Sequence, residues 1–403
     1  MIKHHHLSSA YQPILSPTHQ KLVGYEALIR ASDRRGQPVS PPALFAEAAR
    51  QGCSAQLDRH LLHQHVAHCP VGPDPAWLFL NIHPDSCTRP DTSLDELALQ
   101  CEAGGIAPDR IVLEFVETAS EHPEALLNFI HRARARGFQV AIDDFGVGDS
   151  NFERLWRIQP LIVKLDRSLL LNAESHRRAR LLLESLVKMI RESGSLVLLE
   201  GIETPAQAQL ALATDADLLQ GFLFGQPGPV TEEGRAQAEQ RLRETVARSQ
   251  DWWQQNDRDQ EGYLTLLRYE MMEAGHRVVR DLPFAEACAA LLGLDGVKRC
   301  FVLDHRGVQL GRLARANPDR QQIRFNPLYE SSGACWAHRD YFQRALEHPQ
   351  RIHCSRPYVG LPDARRTVTL STALPGARHR RVLCVDIHPD DLFDGHLTFP
   401  ASL

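Results

Sequence analysis

Acidic and amide side chains stand at the ends of short apolar runs in the first 230 residues of this chain. The residues in such positions, together with one lysine, are Glu26, Asn81, Glu114, Asp143, Asp144, Lys164 and Glu200. Carboxylate and amide oxygens are the ligands that hard cations such as Mg²⁺ and Mn²⁺ prefer. A lysine beside them can orient or deprotonate a water molecule, or stabilise developing negative charge. The pattern therefore predicts a metal-dependent active site.

These ligands suffice for two cations. One ion would be held by the first four of the residues, Glu26 to Asp143, and a second by Asp144 and Glu200, with Asp143 bridging. Two ions about 3.5–4 Å apart suit phosphodiester hydrolysis, because they activate water and neutralise charge on the phosphoryl oxygens. Taken singly, each carboxylate could instead cap a helix or pair with a cation. The adjacent anions Asp143 and Asp144 favour a metal, since a cation relieves their repulsion.

The elements that must position these residues alternate between short apolar runs and amphipathic stretches, which is typical of parallel strands linked by helices. The predicted strands are 10–15, 22–29, 77–82, 111–116, 139–143, 161–165, 196–200 and 216–219. The predicted helices are 42–51, 55–68, 93–102, 122–136, 173–193 and 205–213. This number of alternations favours an α/β fold of the (β/α)8 barrel type, in which chemistry lies at the carboxyl ends of the strands.

The pattern changes after Pro229. Residues 231–280 are rich in Glu, Gln, Arg and Ala and contain no proline, so we expect one or two helices that connect two domains. A partner-binding coil is the alternative for this segment. Beyond it we predict a hairpin over 300–310, a helix over 336–346, and strands over 366–372 and 380–386. The predicted domains are a barrel over 1–230, a helical connector over 231–280 and a smaller α+β domain over 281–403.

Size, charge and cysteine usage narrow the class of protein. A chain of 403 residues is long for one domain, and a net charge of -5 gives no basic stripe for nucleic acid. The nine cysteines are scattered without a C-x-x-C pair, which argues against a disulfide framework or a zinc site. No signal peptide and no run long enough to cross a bilayer is found. We therefore expect a cytoplasmic protein that binds neither nucleic acid nor membranes.

Eight motifs in the first region resemble the EAL domain of cyclic di-GMP phosphodiesterases. They cover residues 11–14, 26–30, 81–84, 114–118, 143–146, 163–166, 200–204 and 220–225. The family takes its name from the triplet at 26–28, but it is the order of all eight that makes the resemblance specific. It implies a modified TIM barrel that hydrolyses cyclic di-GMP to linear pGpG in bacterial second-messenger signalling. The identity of the dinucleotide rests on this resemblance alone.

The resemblance also implies a role for each matching residue. Two ions, Mg²⁺ or Mn²⁺, would be bound by Glu26, Asn81, Glu114, Asp143, Asp144 and Glu200. Lys164 and Glu200 would be catalytic, with Lys164 contacting the attacking water. The substrate-binding residues would be Gln12, Leu28, Arg30 and Gln220. Within that set, Arg30 would bind a substrate phosphate, which its guanidinium fork suits, and Gln220 would help to hold a metal-bound water.

Two further glutamates would support the ligands without binding a cation themselves. Glu117 would brace the loop that begins at Phe145, and Glu203 would play a similar supporting part. That loop departs from the family pattern, because residues 147–151 read VGDSN where strongly active members read TGYSS. The change removes no ligand, but it bears on turnover. The alternatives to an enzyme of this family are an EAL domain with little or no turnover that acts as a cyclic di-GMP receptor, and an unrelated metal-dependent barrel enzyme.

The C-terminal region resembles PAS-like or Cache-like sensor domains through residues 339–342, 355–359 and 367–371. These positions could equally be core and turn residues. The resemblance implies that this domain receives an unknown small-molecule or protein signal. The EAL resemblance implies in addition that the protein is a homodimer.

Overall fold

The computed structural model of the chain falls into two compact units, Met1–Gln250 and Asp251–Leu403. The residues that it describes are 5–69, 76–88, 93–116, 123–146, 152–314, 331, 333–349, 351–360, 364–375, 380–393, 397 and 399–403. Two sequence predictions, the role of Glu117 and that of the loop 147–151, lie outside these residues. Among the described helices, none is both long and apolar enough to cross a membrane.

The strands of the first unit close into a barrel. They are β1 (His6–Ser16), β2 (Lys21–Ser32), β3 (Pro38–Val39), β4 (Trp77–Asn81), β5 (Ile111–Val116), β6 (Gln139–Phe145), β7 (Ile162–Leu165), β8 (Leu196–Leu199) and β9 (Leu218–Gln220). The ring runs β1-β9-β8-β7-β6-β5-β4-β2 and is closed by pairing of β1 with β2, while β3 lies outside it beside β2. Strand β1 is antiparallel to both neighbours and the other pairs of the ring are parallel. The predicted modified TIM barrel is confirmed.

Helices follow most of the strands and cover the barrel wall. In the first unit they are α1 (Pro41–Arg50), α2 (Ser54–Ala67), α3 (Pro84–Cys87), α4 (Ser93–Ala103), α5 (Pro123–Ala135), α6 (Phe152–Ile158), α7 (Arg167–Ser175), α8 (Arg177–Glu192) and α9 (Pro205–Ala213). The single helix predicted over 173–193 is wrong, because the extended residue His176 separates α7 from α8. Helix α7 begins at a cap in which the Asp166 side chain accepts a hydrogen bond from the Ser168 amide at 2.8 Å.

Two apolar layers hold the barrel. Inside the ring pack Ile14, Phe79, Val112, Ala141, Ile162, Leu198 and Leu218, one from almost every strand. The alternate residues of the same strands point outward and pack against the helices in a much larger cluster. Because the interior is filled with side chains, the polar residues are left at the mouth of the barrel.

The second unit is built on an antiparallel sheet. Its strands are β10 (Val297–Leu303), β11 (Gln309–Ala314), β12 (His353–Cys354), β13 (Tyr358–Val359), β14 (Arg366–Ala373) and β15 (Val382–Ile387), in the order β11-β10-β15-β14-β12 with β13 beside β14. Its helices, after α10 (Glu232–Val279), are α11 (Phe284–Ala287), α12 (Ala289–Gly293) and α13 (Asp340–Glu347). The prediction of a second, smaller α+β fold is thus confirmed. Of the one or two helices predicted over 231–280, the structure has one.

Helix α10 contributes to both cores. Its early residues Ala238 and Leu242 are buried in the cluster of the first unit. Its late residues Leu267, Met271 and Ala274 are buried in the cluster of the second. The domain boundaries at 230 and 280 stay a prediction.

The close contact between the segments that follow β8 and β9 gives a test of the fold. A Cβ atom on Gly221 would lie 2.0 Å from the Ile202 carbonyl oxygen, whereas one on Gly228 would meet nothing closer than 3.9 Å. We expect Gly221→Ala to lower the free energy of unfolding by about 1–3 kcal/mol, because backbone cannot move aside as a side chain can. Gly228→Ala, the matched control, should stay within about 0.5 kcal/mol of the wild type in urea unfolding followed by circular dichroism. Equal losses in the two variants would contradict the close approach.

Candidate metal centre

A buried lysine lies at the centre of the barrel mouth. The Nζ atom of Lys164, on β7, lies 2.7 Å from Glu200 Oε1, 2.8 Å from Glu114 Oε1 and 3.0 Å from Asp143 Oδ1. Glu26 Oε2 lies 3.6 Å from the same nitrogen. Four strands and the end of a fifth therefore converge on one ammonium group that is only 1% exposed.

This cluster carries more negative charge than one ammonium can neutralise. Burial raises the pKa of Glu114 well above its ordinary value, and burial raises the pKa of Glu200 to about 8 despite the neighbouring Lys164. For Lys164, burial would lower the pKa, but the surrounding carboxylates outweigh it and hold the pKa well above the usual range. Without a cation, protons on Glu114 and Glu200 therefore carry part of the compensation.

Glu26 is fixed by two amide side chains. Asn81 Nδ2 donates to Glu26 Oε1 at 2.9 Å and Gln220 Nε2 donates to Glu26 Oε2 at 2.7 Å. Gln220 Nε2 also lies 3.1 Å from Gln12 Oε1, so these residues form one network. Burial would raise the pKa of Glu26, yet Lys164 and the two amides together hold it below the ordinary value. Glu26 is thus kept ionised and oriented.

A β-bulge brings both adjacent aspartates to the site. Strand β6 has one more residue than β7 between the pairs Ile142–Val163 and Phe145–Leu165, so Asp143 and Asp144 both stand opposite Lys164. Asp144 has a left-handed φ of 56°, and its amide donates to Asp143 Oδ1 at 3.0 Å. In a regular strand the two side chains would face opposite sides of the sheet.

The donors fit two hard cations. Oxygen atoms of Glu26, Glu114 and Asp143 lie within 4.8 Å of one another, and so do those of Asp143, Asp144 and Glu200. Asp143 belongs to both groups, as a bridging ligand must. Glu114 Oε2 is buried and has no hydrogen-bond partner in the described part of the chain, which is costly unless a cation or proton meets it. The roles of the individual ligands stay predictions.

The remaining sequence predictions lie farther out. Leu28 and Arg30 line a cavity of about 240 Å³ beside Asn81, called the side cavity below. The Glu203 carboxylate pairs with the Arg167 guanidinium, with Nη1 2.6 Å from Oε1 and Nη2 2.7 Å from Oε2. This ion pair links the turn after β8 to α7. The predicted supporting role of Glu203 stays a prediction.

Sequence reasoning missed three residues of the side cavity. Asp58, on α2, is buried and accepts hydrogen bonds from Ser86 Oγ at 2.6 Å and the His83 amide at 3.2 Å. Burial raises the pKa of Asp58 to about 7. Phe45 stacks on His83 with ring centroids 4.7 Å apart. The one available signal was a carboxylate within the apolar stripe of a helix, between Leu57 and Leu61.

The profile of the EAL domain matches residues 1–227, more than half of the chain. The chain belongs to the EAL domain family. Among curated relatives, the cyclic di-GMP phosphodiesterase NbdA of Pseudomonas aeruginosa is 28% identical over 229 residues, 55% of this chain and 29% of its own. An uncharacterised protein of Azorhizobium caulinodans is 32% identical over 233 residues, 55% of this chain and 31% of its own. The chain thus spans less than a third of the length of these relatives.

Two solved structures are similar to this EAL protein. The YkuI protein of Bacillus subtilis, with an EAL domain and in complex with substrate c-di-GMP and calcium, matches 94% of this chain and 96% of its own at a TM-score of 0.76 and 22% identity. That identity shows a shared fold over both units and no more. Klebsiella pneumoniae BlrP1, in a manganese and c-di-GMP complex, covers 55% of this chain and 56% of its own at a TM-score of 0.50 and 29% identity.

The pKa shifts predict that cation binding releases protons. The pKa of Glu200 is raised to about 8, so its proton stabilises the folded metal-free protein at low pH and that stability is lost as the pH rises through about 8. A cation needs the ionised form, so we expect the apparent affinity for Mn²⁺ to rise between about pH 6 and about pH 9. Calorimetry in buffers of different ionisation enthalpy measures the apparent affinity for Mn²⁺ and the number of protons released on binding.

The matched control is Glu200→Gln. In this variant the part of the pH dependence of the Mn²⁺ affinity that lies near pH 8 should be lost. An affinity for Mn²⁺ that is the same at both ends of this range would contradict the raised pKa.

Proposed function

We propose that the first unit is a metal-dependent phosphodiesterase that hydrolyses cyclic di-GMP to linear pGpG, with two ions of Mg²⁺ or Mn²⁺. The observation that carries the proposal is the pair of oxygen clusters that share Asp143, with Lys164 between them. Membership of the EAL family and relatives named as cyclic di-GMP phosphodiesterases support the choice of substrate.

When bound, the cations would neutralise phosphoryl charge and lower the pKa of the attacking water. Their predicted ligands are Glu26, Asn81, Glu114, Asp143, Asp144 and Glu200. The chain itself contributes Lys164, whose ammonium lies 2.7 Å from Glu200 and places a positive charge where phosphoryl charge develops. Burial raises the pKa of Glu200 to about 8, so without a cation this carboxyl is mostly protonated near neutral pH, and it could accept a proton from water only in its ionised form.

The side cavity supports binding of one half of the dinucleotide. Its apolar wall includes Leu28 and Phe45, and Arg30 stands on the same face of β2 as Glu26 because alternate residues of a strand share a face. Arg30 is exposed, and its guanidinium suits a phosphate oxygen pair. The other two predicted substrate-binding residues, Gln12 and Gln220, are joined by a hydrogen bond, and Gln220 also donates to Glu26.

Turnover of cyclic di-GMP by the purified chain with Mg²⁺ or Mn²⁺ tests the proposal. Linear pGpG should form, and Glu26→Gln should lower kcat by at least about 100-fold, because it removes a ligand charge while keeping the side-chain size. Glu102→Gln, a charge change at an exposed position of α4, is the matched control and should leave kcat unchanged. Tight binding without product would replace the enzyme by the receptor alternative.

We further propose that the protein is a homodimer through the surface of α6 and α8. Phe152 and Trp156 on α6 are 53% and 66% exposed, and Leu182 on α8 is 70% exposed. These helices follow successive strands of the barrel, so their outer faces lie on neighbouring parts of the wall. Apolar side chains grouped in this way favour burial against a second copy.

Trp156→Glu tests this surface. We expect the variant to be monomeric in analytical ultracentrifugation, because a buried unpaired carboxylate opposes association. Leu99→Glu, at a side chain that is also 66% exposed but lies on α4, should leave the dimer intact. A wild type that sediments as a monomer, or an unchanged Trp156→Glu dimer, would remove this interface.

For the second unit we propose a sensory role toward an unknown small-molecule or protein signal. A buried polar group supports it: Asp386 accepts a hydrogen bond from Thr369 Oγ1 at 2.6 Å and pairs with Arg299. The Tyr358 hydroxyl extends the group through Thr369 at 2.7 Å. None of the nine cysteines, all of which lie in described parts of the chain, forms a disulfide bond, which supports a reducing compartment such as the cytoplasm.

A further inference from the structure

A second cavity lies on the outer side of the barrel wall. It has a volume of about 510 Å³, within the range of small-molecule sites, and shares no lining residue with the side cavity. Strands β1 and β2, the segment after β9 and the first turns of α10 form it. We call it the outer cavity, and the lining residues used below are Tyr11, Pro13, Tyr25, Phe222, Arg235 and Arg241.

The outer cavity and the metal centre occupy opposite faces of the same two strands. On β1, Gln12 points to the barrel mouth while its neighbours Tyr11 and Pro13 line the outer cavity. On β2, Glu26 points to the mouth and Tyr25 lines the cavity. This follows from the alternation of side chains along a strand. Only the thickness of the wall separates the two sites.

The lining suits a planar aromatic anion. Tyr25 and the 51% exposed Phe222 place aromatic side chains in the lining, and such side chains can stack on a planar ligand. Arg235 and Arg241 supply positive charge, and the lining residues include no carboxylate. The nearby Glu239 accepts a hydrogen bond from the Leu22 amide at 3.1 Å and lies 3.5 Å from Arg235 Nε, but it does not line the cavity.

A chain of hydrogen bonds joins the wall of the outer cavity to Glu26. The Gly225 carbonyl, which belongs to the lining segment, accepts a hydrogen bond from Gln12 Nε2 at 3.2 Å. Gln12 Oε1 accepts from Gln220 Nε2, which also donates to Glu26 Oε2 at 2.7 Å. A Cβ atom on Gly225 would lie 2.7 Å from Pro13 Cγ, so the backbone of this segment packs closely against β1.

We propose that the outer cavity binds a small aromatic anion of the mononucleotide type, and that its occupancy tightens cation binding at the metal centre. A ligand that orders the segment after β9 would hold Gly225 against Gln12 and so keep Gln220 on Glu26. The cation would in turn tighten binding of the anion by the same factor. The second half of the proposal rests on the proposed metal centre; the first half stands without it.

Binding is tested on the full chain with adenosine 5′-monophosphate as the probe, by calorimetry without metal. Phe222→Ala and Arg235→Gln should each weaken binding by about tenfold, the loss expected when stacking or a charged contact is removed. Arg248→Gln, on an exposed turn of α10 outside the cavity, should not change it. Arg30→Ala, in the side cavity, should not change it either.

Loss of probe binding in Arg30→Ala alone would place the probe in the side cavity and overturn the inference. The absence of binding by the wild type at millimolar probe would do the same.

Coupling is tested by the Mn²⁺ affinity, measured by electron paramagnetic resonance with and without saturating probe. We expect the probe to tighten Mn²⁺ binding by about fivefold in the wild type, at the lower end of usual coupling. In Gln12→Leu, which breaks the hydrogen-bond chain, the ratio of the two affinities should fall to one.

A ratio of one in the wild type, or the same ratio in both proteins, would overturn the coupling. Since no turnover is measured, a failure of the proposed phosphodiesterase activity leaves both tests readable.

Discussion

The ammonium group of Lys164 is the one cation among five carboxylates in the described part of the barrel mouth, and the rest of the site depends on it. Removing one partner of a buried ion pair costs about 3–5 kcal/mol, because the other charge is left unpaired. Lys164 is almost fully buried and contacts acids from β2, β5, β6 and the end of β8. It therefore joins strands that are distant in the sequence.

One positive charge does not balance the five carboxylates of the cluster, and a bound cation would relieve this shortage. Glu114 and Glu200 relieve it by holding protons, as their raised pKa values indicate. Glu26 does not, because two amides and Lys164 stabilise its charge. Neighbouring carboxylates thus have different proton affinities set by their surroundings, so a cation bound here would displace protons from Glu114 and Glu200 but not from Glu26.

The antiparallel strand β1 gives this barrel features that an all-parallel ring would lack. Its register places Gln12 opposite Glu26, so an amide from one strand reaches the network of the next. The same pairing puts Pro13 opposite Tyr25 on the other face. One hairpin therefore serves the metal centre on its inner side and the outer cavity on its outer side.

Sequence reasoning recovered the barrel and the members of the cluster because strand ends in parallel sheets converge, and because charged residues after apolar runs are easy to see. It missed Asp58, because an acid in the apolar stripe between Leu57 and Leu61 does not by itself show that the helix packs beside a cavity. The break at His176 escaped because neither glycine nor proline marks it. The Glu203–Arg167 pair depends on the position of the turn after β8 relative to the start of α7, which no periodicity encodes.

The bulge at Asp144 has a consequence for how this family can vary. The left-handed φ of 56° favours glycine, asparagine and aspartate over most other residues, so the backbone narrows the choice of residue before any ligand is considered. Of the three, aspartate alone brings a negative charge. A single change to asparagine is therefore compatible with the backbone of the bulge and removes the charge that the proposed second cation would need, which gives the proposed enzyme a short route to a receptor.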